Sequence, residues 1–430
     1  MQTPQVSIII PVFNKWELTR NCLESLREHT PEDIEVIVVD NASTDQTPRE
    51  LAPLGEALFG PPFSPGGNIG QATATGRHCR ARFRAIRNPE NINFGPACNL
   101  GAEAAAAPLL LFLNNDTLLT PGWLPPLLKT LEQPGAGAAG PLLLYENRTV
   151  QHLGIAFSIT GTVSHLYGGF PETHPAVKRP RKLQAITAAA MLLGKELFFE
   201  AGAFYPEYRN GFEDVELCGR IRQLGRTLHC VADSTVFHLE GQSPGRTDND
   251  RRNAELLSSR CRDMFRPDLH QHGLRDGFRV AINDRLGTSL LVGEKQEREL
   301  REEAAGQNAG ELLEKVRANP YWLSGIEQLS AVSRANGLMR EAAHTYAHAV
   351  KILPNLAYAE KLHELAILAG KPQLAASAAE TAAMIKGQLK DGKKYEASIK
   401  RLLNVAENWN DRFLVELYRE KLAAWQKRAG

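Results

Sequence analysis

The sequence has little net charge, few cysteines and no long hydrophobic run. Lys and Arg total 50 against 49 Asp and Glu, and the resulting net charge of +1 excludes a broadly basic surface for nucleic acid. The six cysteines are scattered and none forms a CxxC pair, which argues against a zinc site and against a disulfide framework. We therefore expect reduced thiols and a cytoplasmic location.

No segment of the sequence has the pattern of a membrane anchor. The first ten residues, MQTPQVSIII, have no basic region and run directly into an apolar stretch, unlike a signal peptide. The longest apolar stretch, residues 104–113, contains Pro108 and is shorter than the roughly 20 residues of a spanning helix. We expect no transmembrane segment.

The length and the overall composition are typical of a globular protein with about two or three domains. Its 430 residues are 43% hydrophobic and 23% charged. Residues 1–245 alternate short β-rich runs with helical patterns, which predicts an α/β domain. Residues 246–305 are polar and predict a connecting helical region. Residues 306–430 are rich in Ala, Leu, Glu and Lys and predict an all-α domain.

The α/β domain begins with two continuous apolar runs, residues 6–12 and 34–40, which are typical of buried parallel strands. Further strands are predicted at 83–87, 109–113 and 142–145. Ligands of open α/β sheets bind beyond the carboxyl ends of the strands. The candidate site residues are therefore those that follow the strands: Phe13, Asn14, Asp40, Asn41, Asn88, Asn114, Asn115 and Asp116.

Two of these strand ends carry carboxylates. Asp40 can accept hydrogen bonds from a ribose or a base, although residues 40–45 also fit a turn with Asx caps. Asp116 can hold a divalent cation against a diphosphate, since Mg²⁺ and Mn²⁺ prefer oxygen ligands, and a turn before Pro121 is the alternative. The first strand is not followed by GxGxxG, which argues against a dinucleotide cofactor.

Two later residues could carry chemistry. Asp214 stands at the start of a helical pattern, where an acidic residue is either a helix cap or a general base beside a substrate. His238 follows a predicted strand at 235–237 and is either a structural histidine or a ligand. A long Gly- and Pro-rich connection at 54–82 is either a mobile insertion or a lid that contacts the acceptor.

The C-terminal part contains a repeat. Pro320 and Pro354 are 34 residues apart, which is the tetratricopeptide period. The period predicts these small and aromatic repeat positions: Gly337, Ala342, Tyr346 and Ala349. A degenerate second copy puts Ala376 and Ala383 on the small positions, and helices near 391–405 and 410–428 are predicted to cap the stack. An unrelated helical bundle is the alternative.

The order of the motifs resembles the inverting, nucleotide-sugar-dependent glycosyltransferases of family 2, which have the GT-A fold. The resemblance covers the chain up to about residue 265. The matching segments are residues 6–14, 38–45, 91–101, 112–116, 188–192, 211–214 and 238–243.

The resemblance implies a mostly parallel twisted sheet with helices on both faces, which binds a nucleotide-sugar donor. The implied donor-binding residues are Phe13, Asp40, Asn93, Asn99, Asn115 and Arg246. Asp116 and His238 would hold a divalent metal, Mn²⁺ or Mg²⁺, and Asp214 would be the catalytic base. Asn114 stands where many relatives have an aspartate.

The implied function is transfer of a sugar to an acceptor hydroxyl with inversion. One interpretation is a protein or peptide acceptor, such as a bacterial surface appendage subunit, which the repeat helices would grip. A second is extension of a surface polysaccharide or lipid-linked glycan. A third is a non-catalytic scaffold, against which the retained carboxylates and His238 argue.

Overall fold

The computed structural model describes residues 4–60, 81–239, 249–261 and 263–429. The chain divides into two compact units. The first contains Met1–Ala156 and His165–Phe265, and the second contains Phe157–Ser164 and Arg266–Gly430. Among the described residues, no helix combines the length and the hydropathy needed to cross a membrane.

The strands between residues 6 and 238 begin with the predicted buried pair. They are β1 (Val6–Val12), β2 (Ile34–Asp40), β3 (Arg82–Arg87), β4 (Leu109–Leu113), β5 (Thr117–Leu119), β6 (Ala136–Leu144), β7 (Val150–His152), β8 (Ile155–Phe157), β9 (Val163–His165), β10 (Arg181–Leu183), β11 (Ala190–Gly194) and β12 (Thr227–His238). Every residue of β1 and β2 is buried, as expected for central parallel strands.

Ten of these strands form one mixed sheet in the order β10-β12-β6-β11-β4-β1-β2-β3, with β5 beside β12 and β7 beside β6. The four neighbouring strands β4, β1, β2 and β3 are parallel to one another, whereas β11 is antiparallel to both of its neighbours, β4 and β6. In the parallel part, Val12 is opposite Asp40 and Asp40 is opposite Arg87. The predicted α/β class is confirmed, although the sheet is mixed and not mostly parallel, since β5, β7, β10 and β11 pair antiparallel with their neighbours. The residues that follow β1, β2 and β3 meet at one edge.

The helices of the first unit are α1 (Trp16–His29), α2 (Thr47–Phe59), α3 (Phe94–Ala104), α4 (Leu124–Leu131), α5 (Lys195–Glu200), α6 (Glu213–Gln223) and α7 (Asp250–Arg260). The predicted connection at 54–82 begins later than expected, since α2 continues to Phe59, which is buried and stacks on Phe83. Residues 61–80 of that connection lie outside the described residues, as does Cys79. The other five cysteines are buried free thiols.

The second unit is mostly helical. Its elements are α8 (Leu269–Arg275), β13 (Arg279–Ile282), β14 (Thr288–Leu291), α9 (Glu294–Ala304), α10 (Ala309–Ala318), α11 (Leu323–Ala335), α12 (Met339–Ile352), α13 (Leu356–Leu368), α14 (Pro372–Lys390), α15 (Gly392–Asn408) and α16 (Arg412–Ala429). The β13–β14 hairpin was not expected in a connecting helical region. Consecutive helices pack on each other, in particular α11 with α12, α13 with α14 and α15 with α16.

The predicted register of the second repeat is wrong by one residue. Ala376 and Ala383 are exposed, whereas Ala375 and Ala382 are buried and lie 33 residues after the buried Ala342 and Ala349.

The proline spacing predicts the wrong register because α11 and α13 begin at different distances from the prolines that precede them. Pro320 precedes the first residue of α11 by three positions, and Pro354 precedes the first residue of α13 by two. The glycines that end these helices, Gly337 and Gly370, both have positive φ and are 33 residues apart. The repeat is therefore 33 residues long at this point.

Candidate active site

A cleft of about 410 Å³ lies at the carboxyl ends of the parallel strands. Six of the site residues implied by the family resemblance line it: Phe13, Asn93, Asn115, Asp116, Asp214 and His238. Asn41 and Asn114, which also follow strands, line it as well. The strand ends therefore meet around one cavity, as expected for a ligand site on such a sheet.

Asp40 lies at this edge but is almost fully buried. One carboxylate oxygen accepts a hydrogen bond from Ser43 N at 2.8 Å, and the other accepts one from Arg87 Nη1 at 2.6 Å. Arg87 Nη2 also donates to Ser43 O at 3.1 Å. Asp40 and Arg87 thus fix the loop after β2, and the donor contact of Asp40 stays a prediction.

Asn14 connects the loops after β1 and β2. Its backbone has a positive φ of 57°, which asparagine tolerates better than most residues. Its side-chain oxygen accepts hydrogen bonds from Thr44 N at 2.7 Å and from Asp45 N at 3.3 Å. Beside it, Phe13 is 49% exposed and lines the cleft, where an aromatic face is available to a planar base.

A chain of amides continues along the edge. Asn88 Nδ2 donates to Asn41 Oδ1 at 2.7 Å, and Asn41 Nδ2 donates to the carbonyl oxygen of Asn93 at 3.2 Å. Asn93 precedes α3 with a φ of 68°. The side-chain amides of Asn88 and Asn41 thus hold the Asn93 backbone, and with it the start of α3, against the strand ends.

Asn99 binds the backbone of Phe204. Its Nδ2 donates to Phe204 O at 2.9 Å, and its Oδ1 accepts from Phe204 N at 3.0 Å. Asn99 is not among the residues that line the cleft. Its amide is engaged in holding the Phe204 backbone, and its predicted donor contact remains untested.

Asp116 and His238 meet on one side of the cleft. His238 Nε2 lies 3.0 Å from Asp116 Oδ1 and 3.1 Å from Asn114 Nδ2. His238 Nδ1 lies 2.6 Å from Gln151 Oε1. Asn115 lies between Asn114 and Asp116 in the sequence and lines the cleft. Its Nδ2 donates a hydrogen bond to Thr19 Oγ1 at 2.9 Å.

The Asp116–His238 pair fits one edge of a divalent-cation site. Octahedral ligands at about 2.1 Å from a cation and at right angles to each other are about 3.0 Å apart, and this is the separation of the two donor atoms. The described part of the chain contains no cluster of three His, Cys, Asp or Glu side chains suited to a metal. The remaining ligands would have to be substrate oxygens or water, as is common for Mg²⁺.

Asp214 faces the cleft from the first turn of α6. Its Oδ2 accepts a hydrogen bond from Ala188 N at 3.0 Å, and its Oδ1 accepts one from Val215 N at 2.8 Å. The two N–H groups hold the Asp214 carboxylate in one orientation at the start of α6. Glu213 is buried and also lines the cleft, with Oε2 accepting from Gly211 N at 2.7 Å.

Two residues of strand β7, Gln151 and His152, form hydrogen bonds with residues that line the cleft. Gln151 contacts the His238 ring, and His152 Nε2 accepts a hydrogen bond from Thr187 N at 3.2 Å, next to the Ala188 amide that Asp214 holds. Complete burial, with smaller effects of His165 and His238, holds the pKa of His152 well below 6.5. Sequence reasoning missed Gln151 and His152, since a three-residue strand gives no periodic signal. Arg246 lies outside the described residues.

The model for Glycosyl transferase family 2 matches residues 7–63 and 75–174. Over 250 residues the chain is 30% identical to the O-antigen biosynthesis protein RfbC of Myxococcus xanthus, covering 56% of this chain and 18% of that protein. Over 236 residues it is 25% identical to the N-acetylglucosaminyl-diphospho-decaprenol L-rhamnosyltransferase of Mycobacterium tuberculosis. That match covers 52% of this chain and 72% of the relative. The chain spans less than a third of the length of the first curated relatives that it matches.

Among solved structures, the mannosyltransferase PcManGT from Pyrobaculum calidifontis in complex with GDP-Man and Mn²⁺ is 17% identical, with a TM-score of 0.45. That match covers 87% of this chain and 88% of the other. The family match covers the strands that build the cleft from β1 to β7, together with the loops that carry Asp40 and Asp116. The part of the first unit that contains strands β1 to β7 is therefore similar to glycosyl transferase family 2.

Proposed function

We propose that the cleft transfers a sugar from a nucleotide-diphosphate sugar to an acceptor hydroxyl, with inversion and with the help of a divalent metal. One observation carries the proposal: Asp116 with His238, and Asp214, line the same cleft of a unit that is similar to family 2. A site for anionic diphosphate and a site for a general base are thereby brought within one substrate's reach.

Inverting transfer is a single displacement at the anomeric carbon. The acceptor oxygen forms its bond to that carbon as the bond to the diphosphate oxygen breaks, and the acceptor proton passes to a base. Asp214 is the base in this proposal, because its two backbone hydrogen bonds hold the carboxylate in one orientation at the cleft wall. Those bonds leave lone pairs on both oxygens for the acceptor hydroxyl.

Asp116 and His238 would hold the metal. A bound divalent cation would offset the negative charge that grows on the departing diphosphate. The loops after β1 and β2, with Phe13 and the Asp40–Arg87 pair, would hold the base and ribose of the donor. Because Asp40 already has two partners, its contribution in this proposal is to order the loop as well as to meet the donor.

The acceptor in our proposal is a protein or peptide, and the second unit carries the surface that would bind it. A groove of about 540 Å³ in that unit is lined by the cationic side chains Arg285, Lys394 and Arg401 and by the apolar Met384 and Leu286. One acidic residue, Asp391, also lines it. A groove of this kind suits an extended acidic segment.

A glycan acceptor is the second candidate. The names of two relatives refer to O-antigen biosynthesis and to a decaprenol-linked sugar, which favours a surface polysaccharide or lipid-linked glycan. In that case the helical unit would serve assembly rather than substrate capture. The cytoplasmic location stays a prediction from cysteine use.

A donor panel tests the activity. Each nucleotide-diphosphate sugar is added to the full chain with and without Mn²⁺, and the melting temperature and the release of nucleoside diphosphate are measured. A donor at 100 times its Kd stabilises the folded state by about 2.7 kcal/mol, so the true donor should stand out. Absence of any shift across the panel would contradict the proposal, and binding without turnover would favour the non-catalytic scaffold.

A further inference from the structure

Gln151 makes two hydrogen bonds to the same residue, His238. Its Nε2 donates to the backbone oxygen of His238 at 3.0 Å, and its Oε1 lies 2.6 Å from the ring atom Nδ1. Both side chains are buried, Gln151 with 2% and His238 with 4% exposure. Water therefore competes little with either bond.

The first bond determines the chemistry of the second. A backbone oxygen only accepts hydrogen bonds, so the amide nitrogen of Gln151 must face it and Oε1 must face the ring. Because Oε1 only accepts, His238 Nδ1 must carry the proton. In the neutral ring, Nε2 then has its lone pair directed away from Gln151, toward Asp116 Oδ1 and Asn114 Nδ2.

The backbone of β7 explains why Gln151 reaches this position. Leu143 pairs with His152 and Leu144 pairs with Val150, so Gln151 is an extra residue between two regular pairs. Such a bulge turns a side chain out of the regular alternation of the strand, and bulges are frequent beside active sites. Gln151 O is also 3.0 Å from His165 Nδ1, which anchors the bulge independently of the Gln151 side chain.

We propose that Gln151 is a positioning residue that fixes His238 in the Nδ1–H tautomer, so that the Nε2 lone pair faces the metal position beside Asp116. The proposal deepens the metal-assisted function proposed above and rests on it for its purpose. Histidine ligands of metals usually donate their other ring N–H to an oxygen acceptor, and loss of that acceptor weakens metal binding about 10- to 100-fold.

The tautomer is measured without metal or substrate. The full chain is labelled with ¹⁵N-histidine, and long-range ¹H–¹⁵N correlation spectra are recorded at a pH where the imidazoles are neutral. His238→Gln identifies the His238 signals. Gln151→Met removes the acceptor oxygen at similar size, and Gln151→Glu keeps an acceptor for Nδ1–H. His165 is the internal control, because its partner is the backbone oxygen of residue 151.

We expect the Nδ1–H form of His238 in the parent and in Gln151→Glu, loss of that preference in Gln151→Met, and an unchanged His165 in all three. An Nε2–H form in the parent overturns the proposal, and so does an unchanged tautomer in a folded Gln151→Met. If Gln151→Met does not fold, the parent spectrum and Gln151→Glu still decide it.

Mn²⁺ alone, added to the same samples, provides the second measurement. The Mn²⁺ concentration that broadens the His238 signals by half should rise at least tenfold in Gln151→Met and stay near the parent value in Gln151→Glu. Equal values in parent and Gln151→Met overturn the link between Gln151 and the metal. A parent chain that binds Mn²⁺ but no nucleotide sugar contradicts the proposed function and leaves the positioning role supported.

Discussion

His238 Nε2 lies 3.0 Å from Asp116 Oδ1, although the two residues are 122 positions apart in the chain. The pairing of β12 with β5 brings them together, since His238 is opposite Thr117 and Leu239 N donates to Asp116 O. A lone pair and a carboxylate at this distance repel each other unless a proton or a cation lies between them. Either a proton or a bound cation between the two atoms would therefore stabilise this arrangement.

Removal of the Asp116 charge should remove the metal dependence. We expect Asp116→Asn to lower transfer at least 100-fold at saturating donor, because one anionic ligand is lost, and we expect chelation by EDTA to do the same to the parent. Asp233→Asn is the matched control, since Asp233 is an exposed carboxylate on β12. Transfer by Asp116→Asn at the parent rate, with Mn²⁺ response intact, would exclude Asp116 as a metal ligand.

Asp214→Asn should separate chemistry from donor binding. The amide keeps one oxygen that can accept one of the two backbone hydrogen bonds, but it takes up no proton. We therefore expect kcat to fall about 10²- to 10⁴-fold while nucleotide affinity changes little. Glu213→Gln is the control for the neighbouring acid, because its amide oxygen can still accept from Gly211 N. A larger loss in Glu213→Gln than in Asp214→Asn would transfer the role of base to Glu213.

Arg87→Met should destabilise the first unit by about 1–3 kcal/mol. It leaves the buried Asp40 carboxylate with the Ser43 N–H but without its cation. Arg87 is itself 51% exposed, which limits the effect to the lower part of what a fully buried pair would give. Urea unfolding measures the change. Arg49→Met, at an exposed pair with Glu50, should change stability by less than about 0.5 kcal/mol.

His152 should make stability depend on pH below neutrality. Burial keeps its pKa well below 6.5 in the folded chain, so only the unfolded chain takes up its proton as the pH falls through about 6.5. The stabilisation is complete above that value, and about 1.4 kcal/mol per pH unit is lost below it. The difference in unfolding free energy between parent and His152→Gln, measured from pH 7.5 to 5.0, isolates this effect from other histidines. A constant difference would contradict the prediction.

Charge reversal in the groove of the second unit distinguishes the two acceptor classes. If a protein or peptide binds there, Arg285→Glu with Arg401→Glu should lower kcat/KM for that acceptor at least tenfold and leave donor hydrolysis unchanged. Arg317→Glu, which is exposed on α10 beside Glu314, is the control. Unchanged use of every acceptor would favour glycan extension with an assembly role for the helices.

The sequence alone determined the first parallel strands and the position of most of the cleft. The apolar runs at 6–12 and 34–40 identified β1 and β2 because a strand buried on both faces must be apolar throughout. Parallel strands end at a common edge, so Asp116 and Asn41 could be placed near one another before their contacts were known. These inferences depend on local patterns, which the sequence carries directly.

Only the tertiary structure decided which polar group serves which partner. In the folded chain Asp40 binds Arg87, and Asn99 binds the backbone of Phe204. The buried alanines of the second repeat are Ala375 and Ala382. The tertiary structure also placed Gln151 against His238 through one extra residue in β7. Each of these depends on contacts between distant segments or on a loop one residue shorter, and no local pattern in the chain specifies them.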